Sequence, residues 1–401
     1  MKLNYRNTIY CSYIGYITQA IVNVFAPLLY ITLNTEFQIS ISQITLITTL
    51  NFFVQLLIDL LSTKFVDVIG YRTCIVSAHV FAASGLIGMS FLPDILPNPY
   101  AGLMISVMLY AVGGGLIEVL VSPIVEACPT DNKSSEMSLL HSFYCWGSVG
   151  VIAISTAFFA LFGRENWRIM CCIWAVIPIV NAVMFSRVPI AKLTEDNESM
   201  PLKKLFSLKT FWVFVVLMFC AGAAELSMTQ WASAFAESSL GIPKAVGDLA
   251  GPCMFSILMG CARVFYAKFS TKINLLHFII GSSVLCVAAY MLVVLSPIPV
   301  LSLVGCGLCG LSVGILWPGS FSIASSECPK GGTAMFALLA LAGDLGCTSG
   351  PTLVGFVAEG AGGSLKSGLA VGAIFPLILI AFAFAYKRMK NAKKPDGKTS
   401  G

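Results

Sequence analysis

Four carboxylates sit where a chain can least tolerate them. Asp59, Glu118, Glu225 and Asp344 each lie inside a long apolar run. A charge at the centre of a membrane helix costs about 2.5–3.5 kcal/mol on insertion scales, so four together cost on the order of 10 kcal/mol. That is comparable with the whole stability of a domain. Such groups must be neutralised, hydrated in a cavity, or both. Burial disfavours the charged form of a carboxyl group. An acid in this setting can therefore take up and release a proton as its access to water alternates.

The neighbours of each acid sharpen the reading. Glu118 lies in GGGLIEVLVSPIVEACP, residues 113–129, with no basic residue in the run. It forms a polar stripe with Ser122 and Glu126 at i, i+4 and i+8 on an otherwise apolar helix. The stripe reads as the wall of a cavity that binds solute or proton, or as a structural hydrogen bond. Glu225 shares a face with Thr229 and lies close to Gln230 and Trp231, with the same two readings. Asp344 sits among glycines in LAGDLGCTSGP. It is a third candidate, or a protonated acid bonded to a neighbouring backbone. Asn51, Gln55 and Asp59 form a stripe of their own. The two amides are candidate solute contacts, and Asp59 reads as a brace beside Asp67.

Gln19 and Asn23 are four apart and share a face. Amides of this kind make forked hydrogen bonds to hydroxyl groups, and tryptophan faces cover the CH face of a sugar ring. His141 reads as a further contact or as a structural histidine near a helix start. His79 and His277 show no partner in the sequence. Trp167 and Trp212 fall at helix starts and read as interface anchors. Trp146, Trp231 and Trp317 fall deeper, where packing and binding are equal readings.

The elements that must hold these residues follow from composition. The chain of 401 residues is 57% hydrophobic and 11% charged, with mean hydropathy +0.87. Soluble domains are about 25% charged. This is a membrane composition. Twelve apolar segments are centred near residues 20, 52, 82, 112, 150, 177, 222, 256, 284, 309, 343 and 375. Each is long enough to cross a bilayer, which takes about 20 residues. The longest polar break, AKLTEDNESMPLKKLFSLK, divides them into two sets of six. The expected organisation is a first bundle over 1–190, a cytoplasmic linker over 191–209 with a short interfacial helix, a second bundle over 210–390 and a cytoplasmic tail over 391–401.

Orientation follows from lysine and arginine. Alternate loops hold Lys2, Arg6, Lys64, Arg72, Lys133, Arg187, Lys192, Lys203, Lys204, Lys209, Lys268, Lys272 and Lys330, as well as the tail KRMKNAKK, 387–394. The opposite loops hold Arg164, Arg168, Lys244 and Lys366. Both termini are therefore expected in the cytoplasm, with the chain in the cell (plasma or inner) membrane. The first run, with Gln19 and Asn23, reads as a retained span rather than a cleaved signal. The 14 cysteines are scattered in apolar runs and read as packing residues, Cys306 and Cys309 included. The chain has no GxxxxGK[ST] phosphate loop and no HExxH zinc motif, so neither nucleotide hydrolysis nor zinc-peptidase chemistry is expected.

An internal repeat is visible. Gly114, Ser122, Cys128, Pro129 and Gly150 recur 200 positions on as Gly314, Ser322, Cys328, Pro329 and Gly350. Each half then has a fourth helix that ends in Cys-Pro. The loop TKFVDVIGYR, residues 63–72, resembles the loop signature of the major facilitator superfamily, a Gly-x-Leu-x-Asp-Arg-x-Gly-Arg-Arg pattern. Asp67, Gly70 and Arg72 match; Thr63, Val68 and Tyr71 depart. The resemblance implies an all-α membrane protein with twelve transmembrane helices in two pseudo-symmetric six-helix bundles. It implies a gating role for Asp67, Gly70 and Arg72, with Asp59 beside them. Gly70 would allow a tight turn. Asp67 would face a helix N-terminus, whose dipole favours an anion.

A narrower resemblance is to the fucose permease-like sugar:proton symporters. Glu118 followed by Ser122-Pro123 is similar to that family's fourth-helix Glu and Asn-Pro. LLHSFYCWGSVG, 139–150, and AGAAELSMTQW, 221–231, are similar to its fifth and seventh helices. One position departs. Asn23, four residues before Pro27, stands where that family carries an aspartate, which puts coupling by a pair of acids in doubt. The resemblance implies a monomeric secondary transporter and not an enzyme, with no cofactor and the proton as coupling ion. It would take up a sugar or similar small polar solute by alternating access at a midplane site. A proton-antiport exporter of amphipathic compounds, an uncoupled facilitator and a membrane sensor without transport are the alternatives.

Overall fold

A computed structural model describes residues 3–39, 41–191, 200–241 and 249–392. The expected positions Lys2, Lys192 and Lys244, and the end of the tail, lie outside them. Among the described residues the chain is helical, with no strand. Twelve long helices follow one another. The first six are α1 (Tyr5–Leu28), α2 (Ile41–Ile69), α3 (Tyr71–Ile95), α4 (Pro99–Ala127), α5 (Lys133–Phe162) and α6 (Trp167–Arg187). The second six are α7 (Lys209–Leu240), α8 (Met254–Phe269), α9 (Leu275–Leu295), α10 (Pro299–Glu327), α11 (Gly332–Gly360) and α12 (Leu365–Asn391). Ten are long and apolar enough over their described residues to cross a membrane. The short helix of the central polar segment is Leu202–Ser207.

Asparagine caps start several helices. Asn98, Asn132 and Asn274 each accept a backbone N–H of the first turn of α4, α5 and α9. This satisfies one of the donors that a helix start leaves unpaired. Because α5 starts at Lys133, His141 lies more than two turns inside it, deeper than the sequence reading placed it.

The chain clusters into two units. One is Met1–Met200 with Pro329–Leu341, and the other is Pro201–Cys328 with Ala342–Gly401. The same pairs of helices approach closely within each. In the first unit α4 meets α3, where a Cβ on Gly113 would lie 2.5 Å from the Ala78 carbonyl and 2.6 Å from the Ala82 nitrogen. It meets α2 at Gly115, beside the Gln55 backbone, and α5 meets α1 at Gly147, beside Ile17. In the second unit Gly305 brings α10 onto α9, Gly310 brings α10 onto α8, and Gly346 and Gly350 bring α11 onto α7. Glycines at these contacts let backbones come together where water and hydrophobic collapse do not drive packing.

Buried polar pairs lock the first unit. His79 donates from Nδ1 to the Ile75 carbonyl at 2.8 Å, which leaves Nε2 to accept from Asn181 Nδ2 at 2.8 Å. Asn181 also donates to the Cys11 carbonyl at 3.0 Å, so α3, α6 and α1 are joined. At the other end of the unit Arg168 forms an ion pair with Glu36 at 2.7 Å and a two-point contact with Asp94 at 2.9 Å. Trp167 donates to Glu36 at 2.7 Å and is fully buried. This corrects its reading as an interface anchor: the Glu36 carboxylate draws the indole inward. Trp212, half exposed, fits the anchor reading better, and Trp146 lies near the middle of α5 and is 38% exposed.

The glycine contacts generate a comparison. Gly113→Ala places a methyl against backbone atoms that cannot yield, and overpacking of this kind costs about 1–3 kcal/mol. Gly150 has nothing within 4 Å of an added Cβ. Gly113→Ala is expected to lower Tm in detergent, while Gly150→Ala leaves it unchanged or raises it.

Candidate functional site

In the first unit the predicted amides and Glu118 are brought together. Three helices supply them, and the run Gly113-Gly114-Gly115 explains how. Gly113 admits α3 and Gly115 admits α2, while a Cβ on Gly114 would lie 3.0 Å from Gln19 Oε1 and 3.3 Å from Gln55 Cδ. A side chain at 114 would take the space that the amides fill. Glu118 follows one turn later on the same helix.

The hydrogen bonds form a chain. Asn51 Nδ2 donates to Asn23 Oδ1 at 3.1 Å, and Gln55 Nε2 donates to the same oxygen at 2.8 Å. Gln19 Nε2 donates to Gln55 Oε1 at 2.8 Å and to Glu118 Oε2 at 2.9 Å. Gln19, Asn51 and Gln55 are buried, whereas Asn23 and Glu118 are partly exposed. Gln19 Oε1 and Asn51 Oδ1 are buried without a hydrogen-bond partner among the described residues. Unmet buried acceptors are costly, which marks this cluster as built for something other than packing. Asp59, the last member of the α2 stripe, is fully buried.

One turn beyond Glu118 lies a second cluster. Ser122 Oγ and Tyr16 Oη each lie 3.3 Å from His141 Nε2 and 3.2 Å from each other. The Tyr16 and His141 rings are 4.8 Å apart. Pro123, which has no N–H, releases the Val119 carbonyl from the α4 ladder at this level. His141 is thus joined to the stripe that carries Glu118. Glu126, the third stripe member, lies 3.9 Å from Lys133.

The loop between α2 and α3 is a single-residue turn. Gly70 adopts φ 95°, which favours glycine. Asp67 Oδ1 accepts from Thr333 Oγ1 at 3.1 Å, and Tyr71 Oη meets the same hydroxyl. Thr333 lies in the first turn of α11, where the helix dipole favours the Asp67 carboxylate. Arg72 instead donates to the Phe185 and Ser186 carbonyls, both at 2.9 Å. Its guanidinium closes the C-terminal end of α6.

In the second unit the acid has a partner that the sequence reading missed. Glu225 Oε2 lies 3.8 Å from Arg263 Nη2, with side-chain exposures of 15% and 4%. Arg263 also donates from Nε to the Gly314 carbonyl at 2.8 Å. The reason lies in α10. Pro318 lacks the N–H that would bond the Gly314 carbonyl. The helix breaks into Pro299–Val313 and Leu316–Glu327, and Arg263 takes the freed oxygen. An arginine inside the apolar run SILMGCARVFY was a legible signal.

Trp231 donates from Nε1 to the Pro351 carbonyl at 2.9 Å. Gln230 is exposed, and Asp344 is partly buried on α11. Trp317 lies against Gly343, the residue before Asp344. Among the second unit's candidates, the contacts tie Glu225 to Arg263 and Trp231 to α11. They give no direct bond joining Gln230 or Asp344 to Glu225.

The sequence profile described as Major Facilitator Superfamily matches residues 11–351. No curated protein matches the chain by sequence. Among solved structures, the chain is similar to the transporter FucP in its outward conformation. The TM-score is 0.81 at 14% identity, over 94% of this chain and 98% of that one. A variant of the E. coli fucose:proton symporter FucP gives TM-score 0.78 at 14% identity, over 95% and 98%. The proton:xylose symporter XylE, bound to 6-bromo-6-deoxy-D-glucose, gives 0.82 at 11% identity, over 95% of each chain. These likenesses concern the fold. With the profile match over most of the sequence, they identify the chain as a member of the major facilitator superfamily, a multi-pass membrane transporter and not an enzyme.

Proposed function

We propose that this chain takes up a sugar or a similar small polar solute together with a proton, by alternating access. The observation that carries the reading is the hydrogen-bonded chain from Glu118 through Gln19 and Gln55 to Asn23 and Asn51. It couples one ionisable group to four amides, the side chains best suited to hydroxyl-rich solutes. The fucose and xylose symporters that share the fold handle solutes of this kind. Within this reading Glu118 carries the proton and the amides bind solute, with His141 adjoining. Glu225 lies beside Arg263, whose charge is permanent, as the second unit's candidate proton or solute contact. Asp344, Gln230 and Trp231 are the second unit's candidate solute contacts. Asp59, Asp67, Gly70 and Arg72 serve the gate. The protein works as a monomer in the cell membrane with both termini in the cytoplasm and no cofactor.

A second reading has its own support. Asn23 replaces an acid at the position where the resembling symporters carry one, so the chain is also readable as an uncoupled facilitator. Uptake into proteoliposomes separates the two. Glu118→Gln is expected to abolish accumulation of labelled fucose or xylose driven by a pH gradient, while counterflow of the same sugar persists. Unchanged pH-driven accumulation removes Glu118 from the coupling. A thermal-shift screen against sugars at two pH values identifies the solute first.

Two further outcomes follow from the contacts. Asp67→Asn is expected to slow transport with solute affinity unchanged, because Thr333 is its partner; a shifted affinity at normal turnover contradicts the gate role. Arg263→Met leaves a buried carboxylate without its cation, which costs about 3–5 kcal/mol. Its Tm is expected to fall, and adding Glu225→Met is expected to recover most of the loss.

A further inference from the structure

The chain of amides has a property that a list of contacts hides. Every link can be reversed without losing a hydrogen bond. As it stands, Gln19 gives two hydrogens, to Glu118 and Gln55, and Asn23 receives two, from Gln55 and Asn51. Rotate all four amide groups by a half turn. Asn23 then gives to Asn51 and Gln55, Gln55 gives to Gln19, and Gln19 receives from both Gln55 and Glu118. The chain again holds four bonds. The one condition is the last: Glu118 must donate, and a carboxylate can only accept. An ionised Glu118 forbids the reversed chain, since it would set two bare oxygens against each other. A protonated Glu118 permits it.

We propose that Glu118, Gln19, Gln55, Asn23 and Asn51 form a reversible hydrogen-bond chain that the proton on Glu118 turns over, switching Asn23 from donor to acceptor toward the solute. This rests on the reading that Glu118 binds the coupling proton. The chemistry balances simply. A proton from water forms an O–H bond at Glu118, and no proton moves along the amides, which only rotate. Gln19 and Gln55 turn about Cγ–Cδ, and Asn23 and Asn51 about Cβ–Cγ.

Asn23 is partly exposed, whereas the other three amides are buried. In the present direction its oxygen is engaged within the chain and its nitrogen is left to other partners. In the reversed direction its nitrogen is engaged and its oxygen is left. A solute hydroxyl that donates to Asn23 therefore favours the protonated state, and the proton favours that solute contact by the same factor. The buried Asn51 Oδ1, unmet now, becomes an acceptor within the chain on reversal. Asn23 carries no charge, so it can do what an aspartate at that position could not, which is to present either a donor or an acceptor. Other titratable side chains on the packed helices include Tyr13 and Tyr16 on α1, Asp59 on α2, His79 on α3, Tyr110 and Glu126 on α4, and Glu136 and His141 on α5. None of them is a link in the chain.

The test needs no solute. Protein in lipid nanodiscs, with ¹³C in the asparagine side-chain carbonyl, is titrated and followed by infrared difference spectroscopy. The wild type is expected to gain a protonated-carboxyl band together with a shift of the labelled asparagine carbonyl band. Glu118→Gln is expected to lose both. Gln55→Met cuts the chain between Gln19 and the asparagines. It is expected to keep the carboxyl band and lose most of the asparagine shift, and Asn23→Leu gives the same comparison from the far end. A Glu118-dependent carboxyl band without any asparagine shift overturns the reversal. An asparagine shift that survives both cuts also overturns it. Absence of any Glu118-dependent carboxyl band instead overturns the assignment of the proton to Glu118.

Discussion

A polar group inside a helical bundle must find its hydrogen bonds within the protein or in a hydrated cavity, because lipid supplies none. The site depends on this constraint. A carboxylate on α4 has to be met from outside its own helix, and Gln19 on α1 meets it at 2.9 Å. That contact requires α1 and α2 to approach α4 closely, and the approach requires residues with no side chain. Gly114 and Gly115 provide it, next to Gly113, which admits α3. The same residues that look like loose composition in the sequence are the ones that allow Glu118 to be tied to the amides of α1 and α2.

The second unit answers the same constraint differently. Its acid meets a guanidinium rather than an amide. Arg263 is itself anchored by a carbonyl that Pro318 releases from α10. One unit thus holds an acid bonded to a neutral, reorientable amide, and the other holds an acid beside a fixed cation. Only the first arrangement leaves the charge of the acid free to change without stranding a partner.

Much of this was legible in the sequence, and the limits have physical causes. The number of helices and the stripes Asn51–Gln55–Asp59 and Glu118–Ser122–Glu126 follow from hydropathy and helical period, both local properties. Gly70 was readable because one backbone conformation needs it. Partner choice was not readable, since it depends on how each helix is rotated about its axis. Glu118 has no basic residue in its own run, yet its contact comes from Gln19, 99 positions earlier. His79 showed no partner until α6 brought Asn181 to it. Trp167 has the position of an interface anchor, but Glu36 lies 131 positions before it and reverses its environment. Arg263 is visible inside its apolar run, but its approach to Glu225, 38 positions earlier, depends on how α7 and α8 are rotated.

The repeat has a consequence of its own. Gly114 and Gly314 occupy one rank in the two halves, and four residues later the first half has Glu118 where the second has Pro318. Both helices give up a ladder bond to a proline, Pro123 in one and Pro318 in the other, but the first runs on as one helix and carries an acid, while the second divides at Val313–Leu316. The two fourth helices have diverged, one carrying a carboxylate and the other a bend. Neither can stand in for the other, so a chain built from two copies of either half would lack what its partner alone now contributes.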